Sequence, residues 1–104
     1  MIKVSVFYPA KHGEKFDHDY YRDTHMPLVA EQLGTACLRY SVDRGLAGSA
    51  PGEPAAFVAM CHVYSESAES FESGMAKAGG AILADIANFT AIVPVIQISE
   101  VVIP

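Results

Sequence analysis

Two histidines of this chain stand among apolar neighbours, and theirs are the side chains with most chemistry to offer. His25 lies in YYRDTHMPLV, on a stripe shared with Tyr21, Leu28 and Val29 at three- and four-residue steps, immediately before Met26-Pro27. An imidazole held in an apolar pocket can take or give a proton near neutral pH. The plainer reading is a core histidine bonded to a backbone carbonyl. His62 sits mid-way through AAFVAMCHVY, on the same parity as Met60 and Tyr64. If that parity looks toward the helices, His62 meets His25 across a cavity; if it looks away, His62 belongs to an interface. The chain also carries five tyrosines. Tyrosine rings can line a pocket while a hydroxyl orients a ligand, although most serve packing alone. The residues a site would draw on are therefore His25 as the candidate catalytic group, with Tyr21, His62, Tyr64 and Tyr8 as candidates to line a binding pocket.

Other chemistries lack their signatures. His18, Asp17, Asp19 and Asp23 share a solvated first turn with no HxxxH, CxxC or facial-triad spacing, so no metal is expected. There is no glycine-rich dinucleotide fingerprint, P-loop or nucleophile elbow, so no cofactor is expected either. The formal charge is −5 and the seven bases form no run, which argues against nucleic acid and anionic membrane surfaces as partners. No apolar stretch reaches the roughly 18 residues that a membrane span needs. MIKVSVFYPA reads as a strand rather than a leader, and Cys37 and Cys61 follow no disulfide pattern, so a cytoplasmic location with reduced thiols is expected.

The elements that must position these residues follow from periodicity. At 104 residues, half of them hydrophobic, the chain suits one domain spanning 1–104. Residues 2–9 read as a strand stopped by Pro9. A helix then begins at Asp17, a good N-cap, with Phe16 and Tyr21 spaced as a hydrophobic staple, and ends near Gly34. Pro27 inside that helix removes a backbone donor at a cost of about 3 kcal/mol, which predicts a kink at 25–27. Strands follow at 35–46 and 55–64, separated by the Gly- and Pro-rich segment 45–54, the stretch expected to be least ordered. A second helix opens at Ser65 or Ser67, breaks at Gly79-Gly80 and resumes briefly. The last strand runs from 90 to 102, with Pro94 implying an edge position.

The order is β-α-β-β-α-β, so the fold class is α+β: a ferredoxin-like, four-stranded antiparallel sheet with both helices on one face. Strands one, three and four carry apolar residues on both faces, yet two helices cover only one. Leaving roughly four to six such side chains wet would forfeit about 6–18 kcal/mol, comparable to the whole stability of a domain, about 5–15 kcal/mol. A homodimer closed sheet against sheet, a dimeric α/β barrel, is the expected remedy.

The segment KFDHDYYRDTHMPLV (15–29) resembles the signature of the EthD (ethyl tert-butyl ether degradation) family, a helix bearing F-x-x-x-Y-x-x-x-H-x-P-L. Phe16 and Tyr20 occupy its positions, while His25, Pro27 and Leu28 follow one step displaced, with Tyr21 four residues before His25. The opening strand, the Leu33-Gly34 ending and the apolar last strand also resemble the family, so the likeness spans nearly the full chain. The resemblance implies a dimeric barrel with a cavity between sheet and helices in each protomer. It also implies an oxidoreductase association with the breakdown of ethers and other small organic compounds. Related barrels include cofactor-free monooxygenases, polyketide cyclases and isomerases, and fold alone does not choose among them. Two readings remain open at this point: an enzyme acting on a small, largely apolar molecule, or a non-catalytic carrier or accessory partner of a monooxygenase system.

Overall fold

The computed structural model describes all of residues 1–104. Its elements run β1 (Ile2–Pro9), α1 (His18–Tyr20), a π-helical turn (Tyr21–His25), α2 (Met26–Leu33), β2 (Arg39–Arg44), β3 (Phe57–Ser65), α3 (Ala68–Asp85) and β4 (Val95–Glu100). The strands form one antiparallel sheet in the order β2-β3-β1-β4. The α+β, ferredoxin-like architecture is therefore the one expected.

Local chemistry explains the first helix. Asp17 caps it, its carboxylate accepting from the Tyr20 amide at 3.0 Å. The rings of Phe16 and Tyr21 meet at 5.0 Å, as the staple requires. Instead of a sharp kink before Pro27, the chain widens into one π-helical turn, closed by the Met26 amide donating to the Tyr21 carbonyl. The disturbance expected of a proline that lacks an amide is taken up in that turn. Gly34 closes α2 at a positive φ of 55°.

The expected break at Gly79-Gly80 does not occur, because α3 runs through both glycines from its Ser67 cap to Asp85. Propensity disfavours glycine there, but tertiary packing overrides it. Gly79 is buried, and at Gly74 a Cβ would stand 3.2 Å from Leu33 of α2 and 2.8 Å from the Cβ of Ala36 in the turn that follows it.

Register settles which residues share a face. Opposite partners in antiparallel strands point the same way. Val4 pairs with Val63 and Ile98, and Val6 with Cys61 and Ile96, on the face that the helices cover. Ser5 pairs with His62 and Gln97, and Lys3 with Tyr64 and Ser99, on the open face. One irregularity modifies simple alternation. Between Tyr8↔Ala59 and Pro9↔Phe57 the register shifts, leaving Val58 as an extra residue. The bulge carries Phe57 to the open face, against Phe7 at 5.2 Å, whereas strict alternation groups it with Ala59 and Cys61. The core lies between helices and sheet, built on Val4, Tyr8, Tyr21, Met26, Cys61 and Val63.

Segment 45–54 is an irregular loop organised around Glu53, whose carboxylate accepts from the Ala50 amide and whose carbonyl accepts from the Gly48 amide.

Candidate active site

Two tethers dock the first helix against the far end of α3. Phe16 forms a β-bridge with Thr90, and the Asp17 amide donates to the Phe89 carbonyl at 2.9 Å. The Thr90 hydroxyl adds a bond to the Lys15 carbonyl at 2.8 Å. These ties set the π-helical turn beside Asp85, the last residue of α3. There His25 Nδ1 lies 2.9 Å from Asp85 Oδ2, with only 3 % of His25 exposed. The other carboxylate oxygen accepts from the Tyr20 hydroxyl at 2.7 Å and from the Asn88 amide at 2.9 Å. Burial pushes the Asp85 carboxyl up, but the bonds from Tyr20, Asn88 and His25 outweigh it and hold the group below its ordinary value. An ionised carboxylate only accepts, so Nδ1 carries the hydrogen. In the neutral ring the lone pair is then on Nε2, which no protein group binds.

His25 lines a cavity of about 140 Å³ enclosed between sheet and helices. Fifteen of its 17 lining residues are hydrophobic, among them Val4, Val6, Val29, Met75 and Ile82. Its size is comparable to the dry apolar cavities of about 150 Å³ that admit benzene. Two of its lining residues, Leu83 of α3 and Ile96 of β4, are 56 % and 55 % exposed. Tyr8 and Tyr21 line the cavity with His25. The Tyr21 ring stacks on His25 at an interplanar angle of 13° and a centroid distance of 5.6 Å. Its hydroxyl oxygen is sealed from solvent and lacks a proper hydrogen bond, the weakly bonding Cys61 thiol being its polar neighbour. Burial, reinforced by Cys61, raises the Tyr21 pKa, so the phenol keeps its proton. Burial likewise pushes the Cys61 thiol up to about 11, which leaves it a poor nucleophile at neutral pH.

His62 and Tyr64 do not join this group. Their register with Ser5 and Lys3 puts them on the open face, with the full thickness of the sheet between them and His25. There His62 Nδ1 lies 2.7 Å from Ser5 Oγ and Nε2 lies 3.4 Å from Asp43 Oδ2. Tyr64 is covered by the Arg39 guanidinium at 3.7 Å from its ring centroid. The Ser5-His62-Asp43 line resembles a nucleophilic triad in composition only. Ser5 sits in a central strand paired on both sides, whose amides are committed to the sheet rather than free to hold an oxyanion.

Asp85, Tyr20 and Asn88 were not singled out from the sequence as site residues. Tyr20 belongs to the family motif, and Asp85 falls within the short helix expected after Gly79-Gly80. Nothing local linked either to His25. No cluster of three or more His, Cys, Asp or Glu side chains suited to a metal ion is present, and no helix is long and apolar enough to cross a membrane.

The same fold occurs in solved structures. An EthD-like protein from Ralstonia eutropha JMP134 is 58% identical, with a TM-score of 0.95 over 98% of this chain and 92% of that one. An EthD family protein from Bacillus halodurans C-125 is 27% identical, with a TM-score of 0.73 over 96% and 97%. An antibiotic biosynthesis monooxygenase, 14% identical with a TM-score of 0.52 and full coverage of both chains, shares the fold alone. No functionally curated protein matches the chain. The EthD domain model matches residues 12–92, a span holding His25, its carboxylate partner and most of the cavity wall, and the chain belongs to the EthD family.

Proposed function

We propose that this protein binds a small, largely apolar organic molecule between helices and sheet and moves a proton on it through His25. One observation carries the reading: a buried imidazole, fixed at Nδ1 by an ionised carboxylate, borders an apolar cavity of benzene size and has an unbonded Nε2. Asp85 holds the tautomer and stabilises the imidazolium formed when Nε2 accepts a proton. On an enolisable substrate the C–H bond breaks and its electron pair forms a C=C bond as the carbonyl pair moves onto oxygen. The proton rests on Nε2 and returns to the same or another atom, so neither oxidant nor cofactor is consumed. Such a step underlies isomerisations and cyclisations.

Cyclohexanone incubated with the protein in heavy water tests this. Wild type should accelerate deuterium uptake beside the carbonyl, and a folded His25→Ala variant should lose about 10²-fold or more of that rate. Undiminished exchange in the variant removes His25 from the role. Saturable binding without exchange makes the protein a carrier instead.

The same reading includes a homodimer closed through the open sheet face. Support comes from Phe7, Phe57 and Met60, gathered there by register and bulge with no helix to cover them. A cytoplasmic setting suits the two free thiols, Cys37 and Cys61.

A further inference from the structure

The reading of the cavity as a proton-transfer site leaves one buried group without a task. Tyr21 is 1 % exposed and its hydroxyl has no hydrogen-bond partner, a condition it shares among sealed side-chain polar atoms only with Ser65, which does not line the cavity. A buried hydroxyl without a partner is destabilising relative to the isosteric phenyl ring. Phenylalanine at this position would pack against Phe16, Phe89 and Tyr8 equally well, since each of those contacts is ring to ring. Inside the protein the hydroxyl has only the weakly bonding Cys61 thiol beside it, and Tyr21 belongs to a cavity wall whose other polar groups are His25 and the Tyr8 hydroxyl.

Resting on the proposed role of His25, we infer that Tyr21 is the second polar contact of the site and that together the two residues select a monocyclic compound bearing one oxygen, a phenol or its keto tautomer. The donor and acceptor inventory gives this class. Tyr21 offers an O–H, and His25 offers the lone pair of Nε2. A phenolic oxygen accepts from the first while its hydrogen is given to the second. In the keto tautomer the carbonyl accepts from Tyr21 while the neighbouring C–H proton passes to Nε2, and the charge that develops on oxygen meets the Tyr21 hydroxyl. A pure hydrocarbon satisfies neither group. A carboxylate brings a second negative charge near Asp85 into a wall whose sole base, His25, is already paired with that residue. The volume of about 140 Å³ limits the ring to one.

Phenol and toluene, similar in size and shape, are the probes, titrated by NMR against wild type and Tyr21→Phe, with a thermal melt of each protein. The substitution should weaken phenol binding about tenfold, leave toluene binding unchanged, and leave the melting temperature unchanged or higher. Equal loss for both probes, or a lowered melting temperature, makes Tyr21 a packing residue and overturns the inference. Phenol binding insensitive to the substitution overturns it as well, while toluene binding would leave the apolar cavity standing. Binding of neither probe to wild type would defeat the underlying cavity reading too.

Discussion

His25 and Asp85 meet at 2.9 Å across 60 residues of sequence, one in the π-helical turn and the other at the last turn of α3. Neither helix alone makes a base. The pair exists because the Phe16–Thr90 bridge holds the two helix ends side by side. Asp85→Asn keeps the shape but allows the amide nitrogen to face Nδ1, which can invert the tautomer and turn the Nε2 lone pair into a donor. Catalysed proton exchange should fall at least 10²-fold while toluene binding changes little. Side-by-side exchange assays and ligand titrations check this; exchange retained in Asp85→Asn would show that the carboxylate does not set the tautomer.

Acid should weaken the fold through the same carboxylate. Folding lowers the Asp85 pKa below its unfolded value of 3.8. The unfolded state therefore holds the proton more tightly, and the contribution of Asp85 is complete above that value and disappears as pH falls through the folded one. Cys61 acts oppositely. Its folded value is about 11 against 9.0 unfolded, so its contribution, about 3 kcal/mol, is present below pH 9 and lost between about 9 and 11. Chemical denaturation across pH should show both flanks. Cys61→Ala should flatten the alkaline one and Asp85→Asn the acid one.

Two glycines of α3 should respond to alanine with opposite signs. At Gly80 a Cβ meets nothing within 4 Å, so Gly80→Ala should stabilise by about 1 kcal/mol through helix propensity. At Gly74 it would lie 2.8 Å from the Ala36 Cβ and 3.2 Å from Leu33. Separating the helices should outweigh propensity there, and Gly74→Ala should destabilise by about 1–3 kcal/mol. Urea midpoints of the two variants check the pair.

Sedimentation at micromolar concentration should give about twice the 11.1 kDa chain mass. Met60→Glu, which puts a charge beside Phe7 on the open face, should shift the population toward monomer without touching the cavity. A wild-type monomer under those conditions would sink the homodimer.

Much of the fold was legible because its signals are local. Asp17 announces a cap, Phe16 and Tyr21 announce a staple, and Pro94 marks the approach to an edge strand. The site was legible only where one helix face held it, as with Tyr21 and His25. Asp85 was hidden because its link to His25 is tertiary, and because an expected break at Gly79-Gly80 left its position relative to the first part of α3 open. His62 misled because strand parity gives two faces without saying which one the helices cover; the pairing of Ser5 with His62 decides that. Phe57 departs from simple parity for a different reason, since a one-residue bulge cancels alternation locally and carries no obvious mark in the sequence.

The π-helical turn also fixes how this helix can tolerate change in length. It holds one residue more than an α-helical turn would, so removal of a residue such as Thr24 would restore a regular helix, at the cost of rotating everything before the deletion by about 100° relative to α2. Tyr20 would then leave the Asp85 carboxylate, and Tyr21 would turn out of its packing against Tyr8 and Phe89. The residue count between the Asp17 cap and Pro27 thus acts as a phase setting. The exposed side chains there, Arg22, Asp23 and Thr24, can be exchanged for others, but the spacing cannot be shortened without dismantling the site.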